Sequence, residues 1–137
     1  YDKETTMRFM IIVKATADTE AGILPSEQLF AAMHDYNQEL ARAGVLLEAN
    51  GLRPSRDGWR IRYSEGRRSF TDGPFTETKE LIAGYTLIQV RSRDEAMEWS
   101  RRFPAPHGEL QDADIEVRPL YELEDLCTPC PTTDAAA

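Results

Sequence analysis

Residues 71–80 read Thr-Asp-Gly-Pro-Phe-Thr-Glu-Thr-Lys-Glu, and they lead into the strand-like run LIAGYTLIQV at residues 81–90. Gly73 accepts backbone angles that other residues avoid, while Pro74 fixes its own φ and disfavours a helical conformation for Gly73. The pair requires a turn. Local geometry does not require the preceding Asp72, the following Phe75, or the polar segment before the strand. The stretch therefore predicts a specific loop directly ahead of a central strand.

Hydrophobic periodicity predicts the other strands. Residues 8–15 are predicted to form a buried strand because they contain the continuous apolar run 9–13, and strict alternation at residues 59–63 predicts a half-exposed strand. Gly84 lies inside the central strand, where glycine indicates a bulge or a close approach of two backbones. The remaining predicted strands cover residues 45–52, 67–71, 82–91 and 115–123, and residues 16–22 are predicted as a loop.

Two helices are predicted from their caps. Ser26 is the expected N-cap of the first helix, which Gly44 ends. Ser92 and Glu95 form a capping box that opens the second helix, which ends near Phe103. On the first helix, a buried stripe at helical spacing consists of Leu29, Met33, Tyr36 and Leu40. On the second, the inward-facing residues are Ala96, Trp99 and Phe103.

The order of these elements predicts an α+β fold. Strand, helix, strand, hairpin, strand, helix, strand is the ferredoxin-like split βαβ arrangement with an inserted β-hairpin, and it puts both helices on one face of the sheet. The first strand is apolar on both sides, at Phe9 and Ile11 and again at Met10 and Ile12. A homodimer in which two sheets pack face to face would bury the second side.

Bulk properties predict one soluble domain. Residues 1–6 form a predicted disordered lead-in, residues 7–126 the domain, and residues 127–137 a flexible tail. The net charge of -8 argues against nucleic acid as a partner, and we interpret the arginines at residues 53–68 as the solvated face of a hairpin. No membrane span or signal peptide is evident, so a cytoplasmic location and no membrane partner are expected.

The ordered set of short motifs resembles the YCII-related, or DGPF, family of small α+β proteins. The set includes Gly51-Leu52-Arg53-Pro54, residues 72–80, and Pro104-Ala105-Pro106-His107-Gly108. The resemblance implies a dimeric α+β barrel. It also implies a histidine and an aspartate as a catalytic pair in shorter members, but those positions fall on Met33 and near Phe103 here.

The leading functional hypothesis is a domain that binds a small ligand. Its predicted pocket lies between the first helix, the Asp-Gly-Pro-Phe loop and the His107 loop. The expected apolar walls are Met33, Tyr36 and Phe75, and the expected polar groups are Asp72, Lys79 and His107.

Two alternatives stay open. The chain could be a cofactor-free lyase or isomerase with Asp72 or His107 as the proton-transfer base, although Asp72 equally suits an Asx-type turn. The family resemblance also permits a regulatory partner, an extracytoplasmic-function sigma factor. No phosphate-binding loop is present, and one Cys127/Cys130 pair cannot fill a zinc site. The sequence therefore predicts neither a cofactor nor a metal.

Overall fold

The computed structural model describes residues 6–126, so Cys127 and Cys130 and the predicted tail lie outside the described residues. The strands are β1 Met7–Lys14, β2 Leu46–Gly51, β3 Trp59–Ser64, β4 Arg67–Asp72, β5 Ile82–Val90 and β6 Ile115–Pro119. The helices are α1 Ala17–Glu20, α2 Glu27–Arg42, α3 Arg93–Arg101 and α4 Leu123–Leu126. Short 3-10 turns cover Ser55–Asp57 and Thr78–Glu80.

Four strands form one antiparallel sheet in the order β2-β5-β1-β6. With α2 between β1 and β2 and α3 between β5 and β6, the architecture is α+β and consistent with the ferredoxin-like class. β3 and β4 pair only with each other, as a separate two-stranded sheet.

The core lies on one face of the four-stranded sheet. β5 alternates between buried and half-buried residues, and the buried set includes Ile88 and Val90. Ile11 of β1 and Leu40 of α2 are completely buried beside them. Both longer helices contact this layer, so the helical cover is on one side, as the sequence predicted.

The helix caps follow the predicted residues, with one difference in detail. The Ser26 hydroxyl accepts a hydrogen bond from the Leu29 N–H at 3.2 Å, and the Ser92 hydroxyl accepts one from the Glu95 N–H at 3.1 Å. The Glu95 carboxylate reaches back to the N–H of Arg91 rather than to that of Ser92. It still satisfies a backbone donor at the start of α3.

Two segments differ from the sequence-based expectation. The predicted loop at residues 16–22 contains α1, because Thr16 and Thr19 cap each other's backbone N–H groups at 3.3 and 2.8 Å. The predicted last strand, residues 115–123, ends at Pro119. Beyond it, the Glu122 carboxylate accepts hydrogen bonds from the backbone and side chain of Arg8, which draws the chain out of the ladder.

Gly84 lies both at an irregularity of the strand pairing and at a close approach of two backbones, the two features that a glycine inside a strand indicates. The β1–β5 register shifts between Val13 and Lys14, next to the Val13–Gly84 pair. A Cβ on Gly84 would lie 2.9 Å from the Asn50 carbonyl oxygen, so β2 approaches β5 more closely than a side chain allows. Glycine is therefore required here by the packing of two strands.

Tyr36 anchors α2 to α3. Its hydroxyl donates a 2.7 Å hydrogen bond to the Trp99 carbonyl, and its ring meets Trp99 and Phe103 edge-on. Burial raises the pKa of Tyr36 from 10.0 to about 12, because the charged phenolate would lose its solvation.

Replacing Tyr36 with phenylalanine is expected to lower the free energy of unfolding by about 1 kcal/mol near neutral pH, through loss of the hydrogen bond to Trp99. That deficit should shrink as the pH rises from 10.0 toward 12. In this window Tyr36 ionises in the unfolded chain before it ionises in the folded protein. The free energy of unfolding of the wild type therefore falls by up to about 1.4 kcal/mol per pH unit, and that of the variant has no such decrease. Urea unfolding at several pH values measures the difference in the free energy of unfolding between wild type and variant. The ionisation of the other tyrosines contributes equally to both proteins and cancels. A deficit that stays constant with pH would contradict the assignment.

Candidate functional site

A cavity of about 860 Å³ lies between α2 and the part of the sheet that β2 and β5 form. On the sheet side its walls are small residues, with Ala49 and Gly51 from β2 facing Thr86 and Gly84 from β5. These residues are on the same face as the core residue Ile88, two and four positions away along β5. Their small size leaves open space where larger side chains would have extended the core.

The helix side and one end of the cavity are mainly apolar. Leu29 and Met33 lie one helical turn apart on α2, and Asn37 follows one turn later on the same row. The other large apolar residues of the lining are Val13, Ile23, Leu24, Phe30, Leu52 and Phe103. Ile23, Leu24 and Phe30 are strongly exposed. This part of the lining is therefore an apolar surface that is partly open to solvent.

Polar side chains also line this cavity. His107 lines it, with Nε2 3.3 Å from the Lys14 carbonyl oxygen. Asn37 is part of the lining, and its buried Oδ1 makes no hydrogen bond to any residue in the described range. Thr86 contributes a nearly buried side chain. Besides its charged residues, the cavity thus offers one imidazole and several neutral polar groups.

The charges at the cavity balance. Arg53 forms an ion pair with Asp57 at 3.0 Å between Nε and Oδ2. The remaining charged lining residues are Arg56, whose guanidinium lies against Gly22, and Asp18. Two positive and two negative side chains leave no net charge, so the lining gives no electrostatic preference for an anion or a cation.

The structure brings only part of the predicted site together. Met33 and His107 both line the cavity, whereas Tyr36 lies in the core between α2 and α3. Asp72 is exposed at the end of β4, and Lys79 is exposed in a 3-10 turn. Roles for these residues in binding or catalysis stay predictions.

Phe75, the remaining predicted wall residue, is half-buried outside the cavity lining. The Arg60 guanidinium lies over its ring, 3.9 Å from the centroid. This cation–π contact fixes the base of the β3–β4 hairpin against the loop. Its observed environment is a packing contact, and its predicted role as a ligand wall also stays a prediction.

The Asp-Gly-Pro-Phe loop contacts the turn Ser55–Asp57, which carries part of the cavity wall. The Gly73 N–H donates to the Gly58 carbonyl at 3.0 Å, and the Phe75 N–H donates to the Ser55 hydroxyl at 3.0 Å. Ser55 in turn donates to the Glu20 carboxylate from its hydroxyl and, at 3.0 Å, from its N–H. The loop therefore positions the cavity wall without lining it.

Sequence reasoning missed several residues of the lining. Asn37 continues the row of Leu29 and Met33 at a spacing of four, so the helical periodicity contained a signal for it. Phe103 was assigned only to the core, and it also reaches the cavity. The sequence gives no indication that the small residues Ala49, Gly51 and Gly84 belong to a site. They contribute to the cavity by leaving its volume unfilled and have no functional group of their own.

Comparison with known proteins assigns the family. A family model described as the YCII-related domain matches residues 7–132. The chain belongs to the YCII-related domain family. An uncharacterised protein of Rhizobium meliloti (strain 1021) is 32% identical over 94 residues, which cover 69% of this chain and 74% of the relative. The positions at which the family resemblance implied a catalytic pair fall on Met33 and near Phe103, and both of these residues line the cavity of this YCII-related domain.

Residues 6–126 contain neither a helix suited to span a membrane nor a cluster of metal-binding side chains. Within residues 6–126, none of the helices has the length and apolar character needed to cross a bilayer. Over the same range, histidine, cysteine, aspartate and glutamate side chains form no group of three or more suited to a metal ion. A cytoplasmic location stays a prediction.

Replacing Gly73 with alanine is expected to lower the free energy of unfolding by at least about 2 kcal/mol. The new Cβ would overlap the Ser55 carbonyl oxygen and lie 3.2 Å from the Arg56 Cα, both of which are backbone atoms of the opposing turn. Gly58→Ala is the matched control, since its Cβ would meet only the Ser55 carbonyl oxygen at 3.7 Å and its φ is -123°. Urea unfolding measures both variants. Equal losses would show that the contact with Ser55 does not constrain the loop.

Proposed function

We propose that this YCII-related domain binds a small, largely apolar and electrically neutral molecule in the cavity between α2 and the sheet. The observation that carries the proposal is the cavity itself, about 860 Å³ of space with a predominantly apolar lining inside a domain of this size. Binding pockets for small molecules have this volume range and this composition, with a few polar groups that orient the ligand.

The polar groups fit this ligand class. Arg53 and Asp57 neutralise each other across 3.0 Å, and Arg56 and Asp18 bring one charge of each sign. A ligand with a net charge would gain nothing from this balance and would lose hydration on entry. His107 and Thr86 provide hydrogen-bonding groups for one or two neutral polar atoms on an otherwise apolar molecule.

The composition favours binding over proton-transfer catalysis. The positions at which the family resemblance implied a histidine and an aspartate fall on Met33 and near Phe103, and neither of these side chains can transfer a proton. Of the two bases in the lyase or isomerase alternative, only His107 lines the cavity, and Asp72 is exposed outside the lining. A catalytic role in this cavity would therefore depend on the His107 imidazole, without Asp72 as a second acid or base.

A cavity-filling variant tests the binding function. The neutral dye N-phenyl-1-naphthylamine, which fluoresces in apolar surroundings, is expected to bind the wild type, and Ala49→Phe should weaken its affinity by about tenfold or more by occupying the space. Leu47→Phe is the matched control, because Leu47 lies on the same strand, is 46% exposed and does not line the cavity. Titration by fluorescence measures both affinities. No binding to the wild type, or equal affinity in both variants, would remove the proposal.

We also propose that the domain is a homodimer through the uncovered face of its sheet. Met10, Ile12 and Leu87 alternate with the core residues and therefore point away from both long helices. Charged pairs border this apolar strip, including Lys14–Glu116 at 3.1 Å. An apolar centre with a polar rim is typical of interfaces between subunits.

Replacing Leu87 with glutamate is expected to weaken dimerisation by about a hundredfold, because a carboxylate would be buried without a partner at the centre of the proposed interface. Leu110→Glu is the control, since Leu110 is 98% exposed and lies outside the sheet. Sedimentation equilibrium gives the dissociation constants. A wild type that stays monomeric, or a Leu87→Glu dimer of unchanged affinity, would contradict this interface.

The regulatory alternative, an association with a sigma factor, stays a prediction. It depends on the family resemblance, and the contacts described above favour a small-molecule function.

A further inference from the structure

Two uncharged polar side chains at the cavity have no hydrogen-bond partner among residues 6–126. Asn37 on α2 has a buried Oδ1 without a partner, and the hydroxyl of Thr86 on β5, a residue only 3% exposed, likewise makes no hydrogen bond within this range. The other uncharged polar residues of the lining each make a side-chain hydrogen bond: Thr19, Ser26, Asn50, Tyr85 and His107. Asn37 and Thr86 are therefore the uncharged polar groups that the fold leaves for a ligand.

Both residues lie at the end of the cavity that meets the core, which we call the inner end. Thr86 pairs across the sheet with Ile11, which is completely buried, and with Ala49. These neighbours are apolar, so neither adjacent strand offers the Thr86 hydroxyl a partner. Asn37 is one helical turn before Leu40, another completely buried residue of the core.

The open part of the cavity has a different character. Leu24 and Phe30 are strongly exposed there, and the charged residues Asp18 and Arg56 are exposed as well. Water hydrates these charged side chains, whereas the polar groups of the inner end are shielded from it. The apolar side chains of the opening gain from contact with the apolar part of a ligand, because that contact removes them from water.

The unpartnered groups favour a ligand that supplies their hydrogen bonds. A shielded polar group without a partner destabilises the folded state, because it has lost its hydrogen bonds to water and has gained none. A ligand that provides these bonds recovers the loss, and an analogue without them binds much more weakly. Asn37 gives up no hydrogen bond when its side chain rotates, so the rotation that brings the covered Oδ1 to a ligand has no competing contact.

The two groups together require a donor and an acceptor on the ligand. The Asn37 Oδ1 accepts from an N–H, and the Thr86 hydroxyl can donate to a carbonyl oxygen. A carboxamide has an N–H and a C=O side by side and carries no charge, so it matches both groups without the cost of burying an ion. A carboxylate would leave Oδ1 without a donor, and both arginines of the lining are exposed rather than shielded with it.

We infer that the cavity binds an apolar molecule through an uncharged carboxamide group, open-chain or cyclic, which Asn37 and Thr86 hold at the inner end. The inference rests on the proposed ligand-binding function. It adds the chemical class of the ligand and its orientation, with the carboxamide toward the core and the apolar part toward the opening.

Two naphthalenes of closely similar shape test the inference. In 2-isopropenylnaphthalene, carbon atoms replace the oxygen and nitrogen of the carboxamide group of 2-naphthamide. Displacement of N-phenyl-1-naphthylamine gives the dissociation constant of each compound. The double variant Asn37→Leu/Thr86→Val is expected to weaken binding of the amide by about tenfold or more, because both hydrogen bonds are lost, and to leave binding of the hydrocarbon within about threefold.

The double variant Gln38→Leu/Thr71→Val is the matched control, since both residues are exposed and lie outside the lining. It should leave the two dissociation constants within about twofold of the wild type. Urea unfolding without added compound gives a second readout. The midpoint of Asn37→Leu/Thr86→Val should equal or exceed that of the wild type, because the variant removes polar groups that no described residue satisfies.

The outcomes distinguish this inference from the proposal on which it rests. If neither the dye nor either naphthalene binds the wild type, the ligand-binding function is wrong and the inference is wrong with it. If the dye binds but Asn37→Leu/Thr86→Val does not change the ratio of the two affinities, the binding function stands and the carboxamide assignment is wrong. An unchanged ratio together with a lower urea midpoint would assign the two residues a structural role through a bound water.

Discussion

The contact between Ser55 and the Asp-Gly-Pro-Phe loop is the constraint on which the arrangement of α1, the turn Ser55–Asp57 and the β3–β4 hairpin depends. The Ser55 hydroxyl accepts from the Phe75 N–H and donates to Glu20, while its carbonyl oxygen occupies the space that a side chain on residue 73 would need. One residue thereby joins α1, the turn before the hairpin, and the loop after the hairpin. A side chain at position 73 would separate these segments, which explains physically why glycine is placed there.

This constraint reaches the cavity through the backbone. The turn Ser55–Asp57 brings Arg56 and Asp57 into the lining, and Glu20 holds the segment that carries Asp18 and Gly22 across the opening. The most distinctive motif of the chain thus contributes to the proposed site by positioning its walls. Its acid and its aromatic ring need no contact with a ligand for the motif to affect binding. Arg60 over Phe75 extends the same support to the hairpin.

The sequence predicted those features that depend on local physics. Alternation along β5, the Ser26 and Ser92 caps, and the glycine in the central strand all reflect spacing or geometry within a few residues. The site was harder to predict because it depends on space rather than on chemistry. Tyr36 has the amphipathic character expected of a pocket residue, yet it lies in the core, where its hydroxyl donates a hydrogen bond to the Trp99 carbonyl. Asp72 and His107 are both polar loop-end residues, and no local pattern shows that only His107 faces the cavity.

The proposed ligand site and the proposed subunit contact through the sheet share one strand. Along β5, Gly84 and Thr86 line the cavity, while Leu87, which alternates with them, points to the opposite side. The Tyr85 hydroxyl donates to the Glu48 carboxylate at 2.7 Å, which ties β5 to β2. At Gly84, β2 and β5 lie too close together for a side chain. A ligand that contacts this part of the cavity would therefore press on the β5 backbone, which also carries Leu87 on the uncovered face of the sheet. Because interiors are close-packed and transmit strain, we expect the proposed ligand binding and the proposed association to be coupled through β5.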